Sequence, residues 1–227
     1  MILGQPLFQI FKNSVVMILL LLCSIAALTV VIERWWYFFK NQINPRQEKD
    51  LLTYLKNDNY KEAKRYAEGV KNPLGRMILL ALDNLNLSPD AVSNLFYSSI
   101  MEERIKYERY LSGLGTVANG ATLLGLLGTV TGLIKAFHNI AITGSGGPAV
   151  VSAGIAEALI TTAFGLFIGI PSLFFYNYFT KKANDITMQL ESFGERVIVA
   201  IYSRPTEKRE IFKEAEKVEK VEEYWKF

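Results

Sequence analysis

The sequence predicts an all-α integral membrane protein: three transmembrane helices with long cytoplasmic helical extensions, assembled as an oligomeric ring. Three observations carry this. Charged residues are nearly absent from three windows, the run Val15–Ile32 and the segments 110–134 and 158–180. The two segments hold 25 and 23 residues, enough for a helix to cross a hydrocarbon core of roughly 30 Å. Outside these windows the pattern is polar, charged and helical in period.

The organisation follows in order along the chain. Residues 1–14 form an outward N-terminus, and 15–40 form the first membrane helix with its aromatic belt, ERWWYFF at 33–39. The apolar run is too long for a signal peptide, and no small-x-small cleavage site precedes the bulky belt, so the helix is expected to be retained. Interfacial aromatics flanked by Arg34 and Lys40 suit a helix end at the headgroup level. Residues 41–109 form a cytoplasmic helical domain, with breaks at Asn57-Asp58-Asn59, Asn72-Pro73 and Asn86. Ser88-Pro89 is a helix start, with serine as N-cap, proline at the first position and Asp90 in the first turn. From there a single helix could run through 89–137 into the membrane. The second membrane helix is 110–137, the outward connection 138–152 and the third membrane helix 153–180. Residues 181–227 form a cytoplasmic helix and a charged tail. Ile186, Leu190, Phe193, Val197 and Ile201 recur at spacings of three and four, an apolar stripe for packing against another helix.

Orientation comes from Lys and Arg. There are 13 between residues 33 and 112 and 10 from 179 to 227, whereas the first 14 residues have only Lys12 and 136–156 has none. By the positive-inside rule the two basic regions are cytoplasmic.

Composition excludes several classes. A net charge of +3 in 227 residues is too small and dispersed for nucleic-acid binding. The lone Cys23 cannot form an intrachain disulfide. The lone His138 has no ligand cluster, so no metal is expected. No P-loop is present, which argues against direct use of ATP. Gly144-Ser145-Gly146 offers a serine but no paired base, so no catalytic residues and no cofactor are expected, and the chain is read as non-enzymatic.

Within the membrane windows, Gly128-x-x-x-Gly132, Ala121-x-x-x-Gly125, Gly154-x-x-x-Ala158 and Gly165-x-x-x-Gly169 are small-residue pairs that let helix backbones approach closely. Two helices with several such faces imply a homo-oligomer. Threonines at 116, 122, 129, 131, 161 and 162 can bond to carbonyls of their own helix. A carboxylate cannot, which singles out Glu157. Charged groups at membrane depth mark ion or proton pathways, yet Glu157 is near the outward end, where an interfacial structural role also fits. Glu157 and Thr161 share a helix face; Thr162 points about 140° away.

LLGLLGTVTGLIKAF (123–137), followed by AGIAEALITTAFGLFIGIPSLFFYNYF (153–179), resembles the TolQ/ExbB branch of the MotA/TolQ/ExbB proton-channel family, and ERWWYF after the first helix fits too. The resemblance covers the whole chain in layout. It implies a proton-conducting subunit of a bacterial inner-membrane motor that couples the proton gradient to work at the outer envelope. Family members assemble as a pentamer around two copies of a TolR/ExbD-type single-span partner, whose membrane aspartate takes up and releases protons. The family's pore-lining threonine falls on Thr129, its third-helix glutamate on Glu157, its third-helix threonine on Thr162 and its proline on Pro171. Thr161 is an extra threonine and the N-terminus is short, which leaves TolQ and ExbB roles undistinguished. MotA proper has a fourth membrane helix. The competing class is a passive membrane scaffold, which makes no use of Glu157.

Overall fold

The computed structural model describes residues 14–143 and 148–203. Most of the predicted outward N-terminus, four residues of the outward connection including Ser145, and the charged tail lie outside the described residues. Among the described residues every regular element is helical: α1 Val15–Lys40, α2 Pro45–Lys56, α3 Tyr60–Gly69, α4 Pro73–Asp83, α5 Pro89–Glu108, α6 Leu111–Thr143 and α7 Pro148–Tyr202. Three stretches, within Val15–Lys56, Pro89–Ile142 and Gly154–Tyr202, are long and apolar enough to cross a membrane. The described helices fall into two compact units, one made of residues 14–36 with the described part of Glu108–Lys181, the other of Tyr37–Tyr107 with residues 182–203.

In the first unit, α6 and α7 run antiparallel at very short range, and small residues set the distance. A methyl group added at Gly165 would lie 2.6 Å from the Ala121 carbonyl oxygen and 2.7 Å from the Gly125 Cα. One at Gly132 would lie 2.8 Å from the Ala158 Cβ, and one at Gly154 would lie 2.5 Å from the Ala136 Cβ. At Gly128 it would overlap the Thr161 methyl, and at Gly169 the Thr122 hydroxyl. Toward the other end of the pair, Gly115 faces the Tyr176 ring. Contact positions ascend along α6 as they descend along α7, at steps of three and four, the spacing of one helix face. Gly128/Gly132 thus face Thr161 and Ala158, and Gly165/Gly169 face Ala121, Gly125 and Thr122, all within one chain. The small faces that suggested self-association are already occupied, so they do not by themselves argue for an oligomer. What the pair leaves exposed is instead large and apolar, including Leu123, Leu126, Ile134, Phe167, Ile170 and Phe174.

Helix α1 adds to this pair through Val16, Met17 and Leu20, which are buried in one cluster with Ala121 and Ile168 and partly with Leu124 and Phe164. Its other side shows Leu22, Ile25, Leu28 and Ile32 outward, as expected of a helix solvated by lipid rather than water. The aromatic belt is divided: Trp35, Trp36 and Phe39 are exposed and Phe38 is buried. Arg34, which flanks that belt, is only 1% exposed. It is paired with Glu33 and lies 5.6 Å from the centre of the Tyr110 ring. A cation can be withdrawn from water this way because a carboxylate and an aromatic face compensate it.

The expectation of one helix through 89–137 is corrected here. Helix α5 ends at Glu108 and α6 begins at Leu111, because Tyr110 adopts φ 65°. A bulky residue in the left-handed region is an outlier that its surroundings must hold in place. The guanidinium groups of Arg34 and Arg109, the latter 4.7 Å from the ring centre, do so.

The second unit packs the lower part of α7 against the short helices. Ile186, Leu190, Phe193, Val197 and Ile201 are all buried, so the predicted stripe faces the core. Leu51 and Leu55 of α2, Ala63 and Ala67 of α3, Met77 and Ile78 of α4, and Phe96 and Ile100 of α5 complete that core. Gly194 admits Met77 and Phe96 closely, each 3.0 Å from where its Cβ would be. The breaks fall where local chemistry sets them. Asn44 and Asn72 accept from the backbone N–H groups of Arg46 and Leu74, and the Ser88 hydroxyl accepts from Ala91 N–H. Asp58 makes the α2–α3 turn at φ 56°. Buried Glu103 is satisfied by Arg76 at 2.7 Å and Lys106 at 2.8 Å, and Arg196 ties α7 to Glu48 of α2 at 2.5 Å.

Two substitutions test these contacts. Phe193→Ala empties a fully buried site and should lower stability by about 3–5 kcal/mol; unchanged thermal unfolding of the purified protein would show that the stripe is not the core. Gly128→Leu must push α6 from α7 and should cost about 1–3 kcal/mol or more. Leu126→Ile, on the exposed side, should unfold as wild type does. Equal unfolding midpoints for the two variants would contradict the close approach at Gly128.

Candidate functional site

The polar groups between the small contacts decide what the α6–α7 pair can do. Most are silenced by their own helix. Thr116, Thr122 and Thr131 donate to carbonyls three or four residues back, as does the Asn119 amide. This is the usual behaviour of such residues where no water competes.

Thr162 is different. Its hydroxyl donates across the pair to the Gly125 carbonyl at 2.8 Å. That reach depends on glycine: a Cβ at Gly125 would lie 3.1 Å from the Gly165 Cα and 3.2 Å from the Thr162 Cα, so the backbones nearly touch. In an α-helix the Gly125 carbonyl also receives the N–H of the residue four further on, which is Thr129. Thr129 and Thr162 are thereby brought to the same level of the pair. The Thr129 hydroxyl donates to the Leu126 carbonyl at 2.6 Å, and both side chains are half-buried rather than sealed. Hydroxyls so placed keep free lone pairs for another donor.

The neighbouring Thr161 is 1% exposed, bonded to the Glu157 carbonyl at 2.9 Å, with its methyl on Gly128. Of the two adjacent threonines, Thr162 is accessible and Thr161 is packing. Glu157 stands apart from the two accessible hydroxyls. Its side chain is 34% exposed, and one carboxylate oxygen lies 4.0 Å from the ammonium of Lys135 on α6, itself 57% exposed. Lys135 is the basic residue at that end of α6. The available signal was arithmetic: Lys135 is the sole Asp, Glu, Lys or Arg in α6, and Glu157 the sole one in 148–180. Antiparallel helices place these two at matching depth.

Comparison with known proteins bears on the family and the fold. Residues 69–192, more than half of the chain, match the model of the MotA/TolQ/ExbB proton channel family. A "Biopolymer transport protein ExbB" of Xanthomonas campestris is 35% identical over 103 residues, 45% of this chain and 41% of that protein. The "Tol-Pal system protein TolQ" of Pseudomonas aeruginosa is 35% identical over 113 residues, 48% of this chain and 49% of that protein. A "Putative biopolymer transport protein ExbB-like 1" of Synechocystis is 38% identical over 129 residues, 55% and 50% of the two chains. The matched region thus spans about half the length of these relatives or less. Among solved structures, C. jejuni MotAB superposes with a TM-score of 0.65 at 16% identity, covering 92% of this chain and 85% of that one, a likeness of fold. On the family match over residues 69–192, this chain belongs to the MotA/TolQ/ExbB proton channel family.

Proposed function

We propose that the chain is the proton-conducting subunit of a bacterial inner-membrane motor, working as a homopentamer with a TolR/ExbD-type single-span partner. The N-terminus and the connection between α6 and α7 face outward in this reading; the second unit and the chain after α7 are cytoplasmic. Thr129 and Thr162 line the route, Glu157 stands at its outward end, and the partner's aspartate exchanges the protons. The observation that carries this is the Thr162–Gly125 bond. It turns one threonine hydroxyl across a hairpin whose other membrane hydroxyls, Thr129 included, mostly donate within their own helix, and it brings Thr162 to the level of Thr129. A neutral, hydroxyl-lined wall offers lone pairs to which a partner carboxyl, in its protonated form, can donate a hydrogen bond as it turns, without fixing it in an ion pair. Family membership supports the reading. The large apolar residues exposed on α6 and α7 supply surface for neighbouring subunits or lipid.

Thr129→Val and Thr162→Val remove the hydroxyls at nearly constant volume. The double variant should lose most proton-gradient-dependent flux, by tenfold or more (about 1.4 kcal/mol), while the complex with its partner still forms. Wild-type flux in the double variant would favour the passive scaffold. For the assembly, native mass spectrometry in mild detergent should show five copies; monomers alone, in detergent and in lipid, would exclude the ring.

A further inference from the structure

The membrane-embedded part of this chain has one cation and one anion on its two facing helices, and the fold brings them together. Lys135 is the only charged residue of α6 and Glu157 the only one in 148–180, and they lie 4.0 Å apart. This is not a chance meeting of two flexible side chains. Lys135 sits between Gly132 and Ala136, and Glu157 between Gly154 and Ala158. Those four small residues make the two closest contacts at that end of the pair, Gly132 on Ala158 and Gly154 on Ala136. Backbone packing on both sides fixes the register that opposes the charges. Both side chains keep exposed surface, Glu157 the less, so their fields reach the space beside the helix pair.

We infer that Lys135 acts through Glu157 as an electrostatic governor: its ammonium cancels the carboxylate's field at the outward end of the proton route. The proposal rests on the conducting role given above. An isolated carboxylate at such an end would concentrate protons, and an isolated ammonium would repel them. The wild-type pair does neither strongly. The effect of removing Glu157 is therefore that of stranding Lys135, and it is reversible by removing Lys135 as well.

The test uses right-side-out membrane vesicles from cells expressing the full chain with its single-span partner, an external acid pulse and an internal pH-sensitive dye. Glu157→Gln should lower flux roughly threefold and Lys135→Met should raise it by a similar factor. The double variant Lys135→Met, Glu157→Gln should return close to wild type, and Lys135→Arg should match wild type. High salt should compress the spread, because exposed charges are screened. A purely structural ion pair gives another pattern, with both single variants depressed. The proposal is overturned if Lys135→Met conducts at or below the wild-type rate, or if the double variant is as low as Glu157→Gln. The Thr129→Val, Thr162→Val variant in the same vesicles separates the two readings. Wild-type flux there, with the predicted order intact, rejects the hydroxyl route and keeps the governor. Loss of flux there, with the order broken, does the reverse. Wild-type vesicles that conduct no more than vesicles lacking the chain overturn both.

Discussion

Close approach of two helix backbones is the constraint on which the rest of the membrane unit depends. Lipid supplies no hydrophobic force to press α6 against α7, so their association rests on van der Waals contact and interhelical hydrogen bonds. Both require short range. Gly125, Gly128, Gly132, Gly154 and Gly165 provide it by having no side chain at the seam. Once the backbones touch, the Thr162 hydroxyl can reach a carbonyl on the other helix, and the lone charges of the two helices, Lys135 and Glu157, can meet. A wider separation would leave Thr162 bonding only within its own helix, as Thr161 does. The polar features of the candidate site are consequences of the glycine seam, not additions to it.

The second unit is built on the opposite physics. Its helices are short, amphipathic and capped, and they are held by burial of Leu, Met, Ile and Phe around the α7 stripe, with polar groups such as Glu103 neutralised by partners. Helix α7 takes part in both units. Its sequence changes accordingly, from small residues at the seam to large apolar residues at helical spacing beyond Lys181. One helix thus satisfies two solvents by changing what its buried face is made of. Pro171 lies inside it without ending it, as membrane helices often tolerate.

Arg34 and Tyr110 show how an unfavourable local state is kept. A left-handed tyrosine and a cation with 1% exposure are each costly alone. Together they compensate each other, the guanidinium lying on the ring and the ring held by two guanidiniums, with Glu33 completing the charge balance.

Much was legible in the sequence because it depends on period and composition. Three charge-poor windows gave the number of membrane helices; the break at Asn72-Pro73, the cap at Ser88 and the turn at 57–59 gave the helix limits; the stripe from Ile186 to Ile201 gave the buried face of α7. The residues that carry the family resemblance offered Thr129, Glu157 and Thr162 as candidates. Tertiary structure alone decided four things. It put the small-residue faces against each other within one chain, because a face has no partner until two helices choose a register. It broke the helix at Tyr110, because the compensation comes partly from Arg34, far away in sequence. It separated Thr161 from Thr162, since only a packed neighbour distinguishes a buried hydroxyl from an accessible one. And it matched Lys135 with Glu157. Each helix specifies its own spacing, but which charge stands opposite which depends on how two backbones slide against each other, and that is set by contacts between them.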